Sequence, residues 1–183
     1  DDVERVLKKS RDSNRENHEK VKRVIEKSDR SNEDNHRLVE DAIRKAEEIL
    51  EEVERLVTAG EDKRKAEEIV KELRDLVREV KRRLDESLKR NEEEIRKVVE
   101  ELERSLDKNR KEIREVLERI GRDFKEEVDE LRKSSEDSIR STEDVVRKLE
   151  ETSKRSIRST EDVARKLEEA VRRIERRIRE RTR

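Results

Sequence analysis

The sequence predicts an all-α protein, a straight antiparallel three-helix bundle running up-down-up with little supercoil, and three observations predict it. Charged residues make up 57% of the 183 positions and apolar residues 27%, with 52 basic against 53 acidic side chains and no proline. The only two glycines stand at positions 60 and 121 and divide the chain into three segments of nearly equal length. A pattern of Ser, Asn and Thr then recurs inside each segment at a step of 18 residues.

Low apolar content suggests disorder only when a large net charge accompanies it. Here the net charge is −1, and a balanced Glu/Lys/Arg composition with Leu, Val and Ile at helical spacing reads as long helix. Each glycine sits where a helix should stop. Gly60 suits a left-handed C-terminal cap, with Asp62 as the next N-cap. Gly121 and Asp123 repeat that arrangement, and Asp123 with Glu126 forms a capping box, as Asp1 does with Glu4. The expected helices span about 2–59, 62–120 and 123–182, each roughly 85–90 Å long at 1.5 Å per residue. Connections this short force neighbouring helices antiparallel, giving one elongated domain over 1–183.

Composition also excludes function classes. There is no Cys, hence no disulfide, thiolate nucleophile or Cys-based metal site. No apolar run approaches the ~18 residues of a membrane span, and no signal-peptide segment opens the chain, so a soluble protein without targeting signal is expected. Near-neutral charge argues against a nucleic-acid surface. Phe124, the only aromatic residue, can form neither a base-stacking platform nor an aromatic ligand pocket. Carboxylate runs such as Glu92-Glu93-Glu94 lie on a solvated face, often with i,i+4 partners such as Glu100 and Arg104. Catalytic carboxylates need a pocket that shifts their pKa. No catalytic residue, small-molecule substrate, cofactor or metal is therefore expected.

The 18-residue repeat carries the most information. Ser10-Arg-Asp-Ser13-Asn14-Arg-Glu-Asn17-His18 recurs as Ser28-Asp-Arg-Ser31-Asn32-Glu-Asp-Asn35-His36. Ser87 and Asn91 recur as Ser105 and Asn109, and the run from Ser138 to Val145 recurs from Ser156. Eighteen residues are about five turns at 3.6 per turn, so side chains return to one face of a helix without supercoil. Projection at ~100° per residue puts these polar residues on the apolar stripe itself, beside Val3, Val6, Leu7, Val21, Val24 and Ile25.

Counting outward from each glycine aligns the repeats into two layers across three helices. Layer one gathers Ser10, Ser13, Asn14, Asn17, His18, Ser105, Asn109, Ser134, Ser138 and Thr142. Layer two gathers Ser28, Ser31, Asn32, Asn35, His36, Ser87, Asn91, Thr152, Ser156 and Thr160. Burying such groups costs roughly 1–3 kcal/mol for each one left unbonded. Connected as a network, they specify register and partner instead.

In its idealised charged surface, its short capped connections and its duplicated Ser/Asn/His layers, the whole chain resembles de novo designed helical bundles with modular buried hydrogen-bond networks. The resemblance implies a structural scaffold or assembly component, recombinantly expressed and without natural substrate. The partners it implies are further copies of the chain or a designed helical partner.

His18 and His36 lie about 80° from the stripe centre, at the border of core and surface. Two readings stay open: flanking residues carried with a copied module, or a pH switch in which a doubly protonated ring can no longer accept a hydrogen bond. About 27 Å apart on a straight helix, they cannot share a metal ion. The Arg-rich run from Val171 to Arg183 reads as a helix end complementing the macrodipole. Ile139 and Ile157, about 80° off the third stripe, read as boundary packing or as a lateral contact for a further helix. A binding module that accepts such a helix is the alternative to a self-contained scaffold.

Overall fold

The computed structural model describes residues 2–60, 63–120 and 125–181. They form three α-helices, α1 (Asp2–Thr58), α2 (Lys63–Ile120) and α3 (Lys125–Arg181). The architecture is an antiparallel three-helix bundle. Helix-forming Glu, Lys and Arg fill the exposed positions, and the apolar stripe recurs at three- and four-residue steps. On α1 the fully buried positions run Val3, Val6, Ser10, Asn17, Val21 and Val24, then Ser28, Asn35, Val39, Ala42, Ala46, Leu50 and Val53. The repeat's Ser10, Asn17, Ser28 and Asn35 thus replace apolar residues in the core, while Leu7, Ser13, Asn14 and Ile25 flank it half-buried.

Gly60 ends α1 as the sequence predicts. Its φ is 69°, a left-handed conformation open to glycine because no Cβ clashes. The turn is held by Ala59 N donating to Arg55 O at 3.0 Å and Gly60 N donating to Val57 O at 3.2 Å. The expected caps at Asp1, Asp62 and Asp123, together with Gly121 and Phe124, lie outside the described residues.

The chain packs as two compact units. One comprises residues 1–28 and 92–154, the other residues 29–91 and 155–183.

In the first unit, ion pairs reveal the direction of packing. Lys9, Lys20 and Lys27 of α1 face Glu112, Glu101 and Glu94 of α2 at 3.7, 3.2 and 3.5 Å. Advancing from 9 to 20 to 27 on α1 retreats equally from 112 to 101 to 94 on α2, so these helices are antiparallel. Between α1 and α3 the paired residues keep a separation of 124 or 123, so these run parallel. Two apolar clusters fill the interior. One holds Val3, Val6, Ile113, Val116 and Leu131; the other holds Val21, Val24, Ile95, Leu102, Val145 and Leu149. By sequence position on every helix, layer one falls between them. Removing these side chains from water holds the unit together, at roughly 1.5–3 kcal/mol for each large one. The exposed ion pairs contribute little beside that.

In the second unit, α1 and α3 again run parallel, with separations of 124 and 123 between bonded residues. Stepping from Asn91 to Lys81 on α2 moves the α3 partner from Ser156 to Glu168, so α2 opposes α3. A single larger cluster fills this unit, from Val39, Leu84 and Val163 to Leu50, Leu73, Leu167 and Ile174. Ala42 and Ala46, 2% and 0% exposed, supply small side chains at the α1 contact.

Candidate functional site

The polar residues inside the core are the feature that composition alone cannot explain, and the bonds between helices in each layer draw on all three helices of one unit. In layer one, the Ser13 and Ser105 hydroxyls share a hydrogen bond of 2.7 Å. Asn17 Nδ2 donates to Ser105 Oγ at 3.2 Å, joining α1 to α2 twice. Ser138 Oγ donates to Asn14 Oδ1 at 3.1 Å, joining α3 to α1. At the exposed edge, His18 Nε2 lies 2.6 Å from Ser141 Oγ.

Layer two repeats the chemistry with one change. Ser31 and Ser87 share a bond of 2.8 Å, and Ser156 Oγ donates to Asn32 Oδ1 at 3.1 Å. His36 Nε2 meets Ser159 Oγ at 3.2 Å, with His36 half-buried where His18 is exposed. The change concerns the asparagines. Here Asn91 of α2 donates to Ser156 of α3 at 3.2 Å, whereas its copy Asn109 leaves Nδ2 without a partner. Conversely, Asn17 is bonded and its copy Asn35 leaves Nδ2 unbonded. Each layer makes one of two equivalent amide bonds.

The remaining predicted residues are placed differently. Thr142, Thr152 and Thr160 are buried, and each donates to the carbonyl four residues back on its own helix, at 2.9, 2.8 and 2.9 Å. That local bond satisfies the hydroxyl without tying helices together. Ser10 and Ser28 are 3% and 2% exposed, and their Oγ atoms have no partner. Ser134 is half-buried. Thr152 and Ser28 belong to the first unit, and the bonded members of layer two belong to the second.

Two residues were not singled out from sequence. Ser141 and Ser159 hold the histidines, yet they sit on the flank of the α3 stripe and show no apolar periodicity. The available signal was the step of 18 that they share with His18 and His36. Ile139 and Ile157 are half-buried.

The shifted titrations lie outside the layers. On α2, hydrogen bonds from Arg82, then its charge and those from Arg83, hold the Glu79 carboxyl down at about 2. The hydrogen bond and charge of Glu79, then the charge and hydrogen bond of Glu86, raise the Arg82 guanidinium further. The Lys81 ammonium, 2.6 Å from Glu168, holds that carboxyl below its ordinary value by hydrogen bond and charge. All are surface groups, positioned to support helices. Among the described residues no cluster of three or more His, Asp or Glu could hold a metal ion. No helix there is long and apolar enough to cross a membrane.

Fold and layers together define an antiparallel three-helix bundle with duplicated hydrogen-bonded layers in an apolar core. A solved structure described as a computationally designed three helix bundle is similar over 98% of this chain and 87% of its own length, with a TM-score of 0.51 and 19% identity. At that identity the likeness concerns the fold. No family model matches the chain, and no curated protein matches it.

Proposed function

We propose that this chain is a designed structural scaffold, a self-contained bundle whose two polar layers set which helices pair and in what register. The observation that carries the reading is the duplicated bond set. Ser13–Ser105, Ser138–Asn14 and His18–Ser141 recur as Ser31–Ser87, Ser156–Asn32 and Ser159–His36. A one-residue slip of any helix would carry its Ser and Asn away from these partners and bury them unbonded, at roughly 1–3 kcal/mol each. The similar solved structure is itself described as a computationally designed three helix bundle, which supports this reading. Catalysis, cofactors and metals have no part in it.

A second reading is assembly through further copies or a designed helical partner, and the half-buried Ile139 and Ile157 favour it. The orphaned polar atoms favour the first reading, because those in the layers are buried in the bundle. Acid sensitivity would act through the histidines, which close both layers at the α1–α3 edge.

Solution mass by light scattering, stepped from about pH 7.5 to about pH 4.5 across the usual imidazole range, tests all three. A constant monomer mass supports the scaffold. A larger mass at neutral pH supports assembly. A cooperative change with acid that His18→Asn/His36→Asn abolishes supports the pH-responsive form.

A further inference from the structure

Ser10 and Asn109 occupy matching places on α1 and α2 of the first unit. From the Ser13–Ser105 bond, one turn toward the start of α1 reaches Ser10, and one turn toward the end of α2 reaches Asn109. Because the helices are antiparallel, both steps lead the same way along the bundle, toward the Lys9–Glu112 ion pair. The two residues are 3% and 8% exposed, and neither Ser10 Oγ nor Asn109 Nδ2 has a hydrogen-bond partner. Two orphaned groups from two helices thus sit at one height, one a donor and the other able to accept.

At Asn109 runs a groove of about 490 Å³ between α1 and α2, walled by Ser13, Ser105 and Asn109 and rimmed by charged residues of both signs. It brings solvent to the edge of layer one.

We propose that layer one contains a structural water-binding site in which one water molecule bridges Asn109 Nδ2 and Ser10 Oγ and exchanges through this groove. The amide donates to the water oxygen, one water O–H donates to Ser10 Oγ, and the other is directed to the acceptor capacity of Ser13 Oγ on the groove wall. Buried waters commonly make about three such bonds to groups otherwise unsatisfied. The competing arrangement is a direct bond from Asn109 to Ser138, the copy of the bond from Asn91 to Ser156. That bond would satisfy the amide and still leave Ser10 orphaned, whereas the water satisfies both. Immobilising one water costs less than leaving two buried groups unbonded.

The test uses the full chain labelled with ¹⁵N. Water-selective cross-relaxation at the Asn109 side-chain amide should show a long-lived water, and the signal should be lost in Ser10→Ala, a substitution that favours helix. A crystal structure resolving ordered solvent should place a water between the two residues. Absence of the cross-peak, its persistence unchanged in Ser10→Ala, or Asn109 donating directly to Ser138 would each overturn the site.

Discussion

His18 Nε2 and Ser141 Oγ stand 2.6 Å apart across the α1–α3 edge of layer one, and the serine can serve either protonation state of the ring. A neutral imidazole accepts from the hydroxyl or donates to it according to its tautomer; a protonated one donates to it. At exposed His18, replacement by Asn should change unfolding free energy by no more than about 0.5 kcal/mol. At half-buried His36 the same substitution should cost about 0.5–1.5 kcal/mol, the range of a net hydrogen bond. Denaturant unfolding of the two single variants reads the difference, and equal losses would show that burial does not set it.

Ser156 is the joint of layer two. It is 1% exposed, accepts from Asn91 and donates to Asn32, so its hydroxyl ties all three helices. Ser156→Ala strands the half-buried amides of Asn91 and Asn32 and should cost about 2–4 kcal/mol, the lower part of roughly 1–3 for each. Ser138→Ala strands Asn14 alone among the bonded amides and should cost about 1–2 kcal/mol on the same basis. The ordering, measured by guanidinium unfolding, is the prediction. If Ser138→Ala proved the costlier, Asn109 would be bonded to Ser138 after all.

Gly60, the apolar stripe and the absence of proline make the helices and their order legible, because backbone preferences and periodicity are local properties. The inward placement of Asn17, Asn35, Ser87 and Ser105 is legible too, since a step of 18 returns to one helix face. What cannot be read is which amide bonds form. Asn91 and Asn109 are the same residue in the same four-residue spacing from Ser87 and Ser105, yet only Asn91 reaches α3. That outcome depends on a side-chain rotamer chosen among competing acceptors. The threonines fail for a related reason: each buried threonine hydroxyl turns to its own helix carbonyl, so position on the stripe does not imply membership of a network.

Asn35 offers the converse test. It is 5% exposed with Nδ2 unbonded, so it carries the penalty of a buried amide without the return of a bond. Asn35→Leu, similar in size and wholly apolar, should raise stability by about 1–3 kcal/mol. Asn17→Leu, at the equivalent place, breaks the bond to Ser105 and should gain less or lose. Thermal or denaturant unfolding of the pair decides it. A loss of stability in Asn35→Leu would mean that the amide is satisfied in solution.

Glu79 makes the clearest statement about pH. Its carboxyl is held at about 2 against an ordinary 4.5, first by the hydrogen bond from Arg82 and then by that residue's charge and by Arg83. Arg82 Nη2 and Arg83 Nε approach it at 2.7 and 3.1 Å. A depressed folded value means that the contribution to stability is present above the unfolded carboxyl range and disappears as pH falls from about 4.5 toward 2. The group is exposed, so salt screens the interaction and the effect belongs to titration more than to global stability. Following the Glu79 side-chain carboxyl by ¹³C chemical shift should give a midpoint near 2 at low ionic strength. Arg82→Ala removes the first cause and should move that midpoint up toward the ordinary value, with added salt shifting it the same way in the parent chain. A midpoint that ignores both changes would show that the Glu79–Arg82 contact does not persist in solution.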